Sequence, residues 1–165
     1  PSVFMPAVER GVRQALASGV IAGFPLQDIR VTVYDGKTHA VDGKEIAFVT
    51  AGRKAMIDAI RKSGPILLEP MVTVEVVAPD AAMGDLTGDL AGRRGHETGT
   101  QTRLAGTVSI SALAPLAELE NYQGRLKSLT GGKGAYSVAF SHYAQAPGAV
   151  QHDLASKYKA VEIDD

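Results

Sequence analysis

The strongest constraint in this sequence is a change of hydrophobic period, repeated in a fixed order between residues 71 and 143. MVTVEVVA, 71–78, has the apolar, β-branched character of a strand. Pro79 and Asp80 then open a helix whose Met83, Leu86 and Leu90 fall at spacings of three and four. Residues 95–103 and 105–112 read as two further strands, the second carrying Val108 and Ile110 on one face. Pro115 starts a second helix, with Leu119, Tyr122, Leu126 and Leu129 in register, and Gly131-Gly132 stops it. AYSVAFSHY, 135–143, alternates again. This β-α-β-β-α-β order is the ferredoxin-like split βαβ unit. Each helix has a single apolar stripe, so both are expected on one face of a four-stranded antiparallel sheet, with 71–78 and 105–112 central.

The preceding residues carry a different pattern. Val8, Val12 and Leu16 recur at spacing four, so 6–18 reads as a helix with Pro6 in its first turn and Gly19 as its stop. After a connector at 20–28, Ile29, Val31 and Val33 alternate with Arg30, Thr32 and Tyr34, the mark of a half-buried strand. A polar loop follows, and 46–62 reads as an alanine-rich helix with Phe48, Ala51, Ala55, Ala59 and Ile60 on one face, ended by Gly64-Pro65. The small residues suggest close packing against a sheet. The expected organisation is α+β: an incomplete α/β unit at 1–69 with a βαβ connection from 29–35 to 66–70, a complete ferredoxin-like unit at 70–146, and a tail at 147–165 holding a short amphipathic helix over 150–160. A right-handed crossover is what strand twist favours.

Composition removes several function classes. There is no cysteine, which excludes disulfides, thiolate metal sites and cysteine nucleophiles. A formal net charge of −1 gives no general footprint for nucleic acid or membrane, so any RNA contact must come from local clusters. No apolar run approaches the roughly 18 residues of a spanning helix, and no charged-then-apolar leader opens the chain, so a cytoplasmic location is expected. The chain starts at Pro1 and runs straight into a helix, as expected of a piece of a longer protein.

Catalytic constellations are missing as well. SLTGGKGAY, 128–136, invites a phosphate-loop reading, but its glycines follow a helix and open a strand. A phosphate cradle needs the reverse order, with helix N–H groups facing the anion. The four histidines, His39, His96, His142 and His152, have no zinc-binding spacing. Ser109, Ser111 and Ser141 lie in strands without a nucleophile elbow, and Asp85 and Asp89 read as a solvated helix face. Two basic groups remain. Arg93-Arg94-Gly95-His96 ends the first helix of the second unit, where cations meet the negative end of the helix dipole. Lys37, His39 and Lys44 surround the loop after Asp35-Gly36.

Taken together, FMPAVERGVRQALASGVIAGFPLQDIRVTVYDG, His39, Glu45 with Ala47-Phe48, LLEPMVTVEVVAP, MGD, GRRG and PLAELENYQGRLKSLTGGKGAYSVAFSHY form an ordered series that resembles elongation factor G over nearly the whole chain. The resemblance implies the latter part of the fourth domain, including a left-handed crossover, followed by the fifth domain. It further implies a GTPase that moves transfer RNA and messenger RNA through the ribosome, with GTP and Mg²⁺ held by the full-length protein and no cofactor in this portion. The fourth-domain tip that reaches the decoding region would be Asp35, Gly36, Lys37, Thr38, His39 and Asp42. Lys44, Arg93, Arg94, His96 and Lys133 are candidate contacts to ribosomal RNA. The implied partner is the ribosome, with no membrane and a monomeric factor. Gly43-Lys44 replaces two serines of common members, and ELENYQGRLKS and HETGTQ also depart from the family pattern, as in a paralogous branch. Ribosome recycling, ribosomal protection against tetracycline, and a non-enzymatic RNA- or protein-interaction module are the alternatives.

Overall fold

Two glycines set how the first pair of helices meets. In the computed structural model, which describes residues 2–38 and 43–158, helix α1 spans Met5–Ser18 and α2 spans Glu45–Lys62. A Cβ on Gly11 would overlap the Val49 carbonyl oxygen, and one on Gly52 would lie 2.5 Å from the Val8 carbonyl oxygen. The helices therefore touch backbone to backbone, a separation that only glycine permits at these positions. Ala7, Val12 and Ala15 of α1 and Ile60 of α2 are buried around the crossing. Phe4 stacks on Phe48 with ring centroids 3.9 Å apart and planes 9° from parallel, fixing the chain entry to α1 against the first turns of α2.

This contact differs from the sequence expectation. Ala51, Ala55 and Ala59 are exposed, because α2 turns its Gly52 side to α1 instead. Residues 29–34 form no strand, and the only sheet among the described residues lies in the second unit. The βαβ connection from 29–35 to 66–70, and with it a crossover of either hand, is not formed among the described residues. The physical reason is that alternation marks a surface, whereas a strand also needs a hydrogen-bonding partner. Residue 68 already belongs to the next sheet, where it pairs with Gln145.

That sheet holds strands β1 (Leu68–Pro79), β2 (His96–Arg103), β3 (Thr107–Pro115) and β4 (Ala135–Gln145) in the order β2-β3-β1-β4. All three pairings are antiparallel, and β1 and β3 are central as expected. Helix α3 (Met83–Gly92) follows β1, and α4 (Tyr122–Thr130) follows β3. The α+β class and the ferredoxin-like order hold. Val72, Val74, Val76 and Ala78 of β1 and Val108, Ile110, Ala112 and Ala114 of β3 share one core with Leu86 and Leu90 of α3 and Tyr122 and Leu126 of α4. One core served by both helices places them on the same face. Each fully buried Leu, Ile or Val in it contributes about 1.5–3 kcal/mol. On the other face, Glu75 accepts hydrogen bonds of 3.0 Å from both Arg103 and the Ser109 hydroxyl, which accounts for a buried serine there.

The second expected helix is shorter than its periodicity suggested. Leu116–Leu119 is a turn of 3-10 helix, and Asn121, at φ 59°, breaks the chain direction before α4 begins. Helix α5, Gly148–Lys157, ends the described chain. It belongs with the first unit: the two compact units are Pro1–Leu67 with Pro147–Asp165, and Leu68–Ala146. The Gln151 side chain accepts a 3.2 Å hydrogen bond from the Leu67 N–H, and Tyr158 lies against Gly23. The tail is thus a returning piece of the first unit.

Candidate nucleic-acid interface

The loop between α1 and α2 is built from local turns. Gly19, at φ 67°, ends α1, and the Leu26 N–H returns to the Leu16 carbonyl at 2.8 Å, fastening the connector to the helix it has left. Beyond Asp28, which sits at φ 56°, residues 29–38 run exposed. The Asp35 carboxylate accepts the Gly36 N–H at 2.8 Å, turning the backbone at the point expected from the sequence. Lys37 and Thr38 follow on the exposed side, while His39 and Asp42 lie outside the described residues. Lys44 is the N-cap residue of α2, with extended backbone and no side-chain cap. An ammonium group has no lone pair to offer the orphan N–H groups there. The next residue, Glu45, pairs with Arg10 of α1.

The second basic group is engaged within the protein. Arg94 binds Glu69 through two hydrogen bonds, 2.8 and 2.9 Å, and reaches Glu118 at 3.0 Å. The Glu69 contacts dominate, and with Glu118 they outweigh burial and raise the guanidinium pKa. Arg93 donates to Asp89 at 2.9 Å and to the Glu118 carbonyl at 2.6 Å, and its guanidinium stands 5.2 Å from the centre of the Tyr122 ring. Arg125 binds the other Asp89 oxygen at 2.9 Å. Asp89 is therefore not the solvated helix-face residue expected. Burial pushes its carboxyl up, but the hydrogen bonds from Arg125 and Arg93 and their charges prevail and hold it below the usual carboxylate range. These arginines tie β1, α3, the 3-10 turn and α4 together.

His96 begins β2 and is exposed; Lys133 is exposed in the turn after α4. The fold separates them. His96 pairs with Leu113 near the Met71 end of the sheet, whereas Lys133 precedes Ala135, which pairs with Val77 at the other end. Eight residue steps separate Met71 from Pro79, roughly 26 Å of strand. Arg93, Arg94 and His96 thus cluster at one end of the unit, and Lys133 sits at the opposite end.

The glycines beside Lys133 do not suit a nucleotide phosphate. Gly131 closes α4 at φ 59°, and the Gly132 N–H donates to the Lys127 carbonyl at 2.9 Å. This is a helix C-terminal turn, and the dipole end it faces repels anions. Among the described residues, no group of three or more His, Asp or Glu side chains could hold a metal ion. No helix among them is long and apolar enough to cross a membrane.

Comparison with known proteins decides the family. Residues 1–64 match the family described as elongation factor G, domain IV, and residues 66–154 match the one described as elongation factor G C-terminus. The chain belongs to the elongation factor G family. A crystal structure of a protein from Thermus thermophilus is similar at 37% identity with a TM-score of 0.76, covering 95% of this chain and 24% of that one. The chain therefore spans about a quarter of the length of that relative. The two elongation factor G matches meet at residues 64–66, next to the boundary between the two compact units. The C-terminal match runs on through most of α5, although α5 belongs with the first unit.

Proposed function

We propose that this chain is the ribosome-contacting portion of an elongation factor G-type GTPase that supports movement of transfer RNA and messenger RNA. The observation that carries the reading is the exposed turn at Asp35-Gly36 with Lys37 beside it, inside a unit that matches domain IV of the family. In this reading Asp35, Gly36, Lys37, Thr38, His39 and Asp42 form a tip that enters the decoding region. A tip of this kind meets RNA by backbone neutralisation and by contacts to unpaired bases. In this reading GTP and Mg²⁺ are held by other parts of the complete factor. Lys44, His96 and Lys133 remain candidates for ribosomal RNA contact; Arg93 and Arg94 act first as internal braces.

The deciding experiment replaces residues 35–42 by a glycine-serine linker in the complete factor. Translocation measured by stopped flow should slow by about tenfold or more, which corresponds to loss of a single good transition-state contact. GTP hydrolysis should persist, because the linker removes nothing that touches nucleotide. An unchanged translocation rate would overturn the proposal. By itself the chain should bind generic RNA weakly: neutralising two or three phosphates gives little affinity at physiological salt.

A further inference from the structure

Asp35 and Gly36 lie in no helix or strand, and the Gly36 N–H donates to the Asp35 carboxylate at 2.8 Å. That bond places the backbone nitrogen of one residue against the side-chain carboxyl of the residue before it. The carboxyl carbon is bonded to the accepting oxygen, so nitrogen and carbon are held on the order of the 3–3.5 Å from which a bond can form. Nothing bars the approach. Glycine brings no side chain to the attacking nitrogen and leaves the backbone free to turn, and even a Cβ on Gly36 would meet nothing within 4 Å. Other aspartates are held differently. Asp58, Asp89 and Asp153 lie inside α2, α3 and α5, and their carboxylates accept from Lys62, Arg93 and Lys157 at 2.7, 2.9 and 2.7 Å. A helix also commits its N–H groups to the preceding turn, away from the side chains.

We infer that Asp35-Gly36 is a covalent modification site, at which the main chain rearranges to isoaspartate through a succinimide ring. The Gly36 nitrogen gives its proton to solvent and bonds to Cγ of Asp35, and one carboxyl oxygen leaves as water. The ring then takes up one water. Opening at Cγ restores aspartate. Opening at the Asp35 α-carbonyl breaks the original bond to Gly36, returns a proton to the nitrogen and leaves a free α-carboxylate, so that the chain now runs through Cβ and Cγ. One water is lost and one regained, and neither an oxidant nor a cofactor takes part. The product has one more carbon in its backbone and no side-chain carboxylate to accept the Gly36 N–H, so the hydrogen bond that turns the loop is lost. The chemistry is internal to the dipeptide and independent of what the loop contacts.

The test holds the complete, folded factor at neutral pH in heavy-oxygen water, then digests it with trypsin in ordinary water. Each ring opening leaves one heavy oxygen on the residue, and electron-transfer fragmentation distinguishes isoaspartate from aspartate. Cleavage after Lys37 and Lys44 separates Asp35 from the second Asp-Gly pair of the sequence, Asp42-Gly43. Label should accumulate at Asp35 faster than at Asp58, Asp89 or Asp153 by about tenfold or more, with isoaspartate fragments at position 35. Asp35→Glu should lose the label, because its side chain can close only a larger, slower ring. Gly36→Ala has room for its methyl group, so it should fold as the wild type does and label more slowly by about tenfold. An unlabelled Asp35 peptide would overturn the inference. So would labelling of Asp35 no faster than of the helical aspartates, or a Gly36→Ala factor that labels as fast as wild type.

Discussion

Arg94 and Glu69 are joined by two parallel hydrogen bonds, 2.8 and 2.9 Å, between the connector after α3 and the start of β1. Glu69 is only 9% exposed, so little water could take the place of this partner. Removing one member of a shielded pair is worse than never having built it, because the other stays charged in a poor solvent. Arg94→Met should therefore destabilise the second unit by about 2–4 kcal/mol. Arg94→Lys should recover only part of this, since an ammonium cannot make the two-pronged contact or reach Glu118 at the same time. Urea unfolding followed by amide exchange in β1 and β3 reads both effects.

Gly11 and Gly52 give a second prediction. Alanine at Gly11 must push α1 away from the Val49 carbonyl, and alanine at Gly52 must displace the Val8 carbonyl. Backbone cannot yield as a side-chain end can. Each substitution should cost about 2–3 kcal/mol in the first unit. Amide protection should fall in α1 and α2 and stay unchanged in the β-sheet, because α1 and α2 belong to one compact unit and the sheet to the other. Equal loss in both units would show that they unfold together.

These two sites also mark what could be read from the sequence. The ferredoxin-like order, the central strands and helices α1, α2 and α3 were legible because each follows from period and caps within a short window. Strand 29–35 was not, because alternation in Ile29, Val31 and Val33 says nothing about a partner. The engagement of Arg94 was hidden too: its two carboxylate partners lie 25 and 24 residues away, brought together only by the sheet. Gly52 was the signal missed in α2. A glycine mid-helix among alanines asks for a close neighbour, and the alanine face drew attention to the wrong side. The tip loop was placed by resemblance, and its described part shows an exposed turn, while His39 and Asp42 lie outside the described residues.

Tyr122 makes a third prediction. Its side chain is fully buried, yet its hydroxyl has no hydrogen-bond partner among the described residues. Burial, aided by the Asp89 carboxylate, pushes the phenol up to about 12. Tyr122→Phe removes an unsatisfied group and should change stability by less than about 1 kcal/mol in either direction, whereas Tyr122→Ala should cost about 3–5 kcal/mol. The folded pKa lies above the unfolded one, so this contribution is complete below about pH 10 and is lost as pH rises through about 12. The ultraviolet tyrosinate titration of Tyr122→Phe should lack the component near pH 12.

Asp89 has the opposite sign. Its folded pKa is depressed below the ordinary 3.8 by Arg125 and Arg93 acting against burial. Stability from this carboxylate is therefore complete above about pH 4 and is lost as pH falls through the lower folded value. Asp89→Asn should weaken the second unit near neutral pH and flatten its acid dependence below about pH 4. Parallel urea titrations of both proteins measure the difference. Curves that stay parallel throughout the acid range would mean that the two arginines do not stabilise the ionised form.

Lys44 sets stability against function. It occupies the N-cap of α2, where a hydroxyl or carboxylate would accept a hydrogen bond from the first turn and a cation opposes the helix dipole. Lys44→Ser should raise the stability of the first unit by about 0.5–1 kcal/mol, read as a higher melting temperature. Natural sequences keep a locally poor residue when it serves something other than folding. If that service is contact with ribosomal RNA, the better-folded Lys44→Ser factor should bind ribosomes less tightly, with an affinity that varies less with salt by about one counterion. Lys44→Arg keeps the charge and should restore the salt dependence without the gain in stability. A Lys44→Ser factor with unchanged ribosome affinity and salt slope would leave Lys44 as a tolerated flaw in the cap and remove it from the interface.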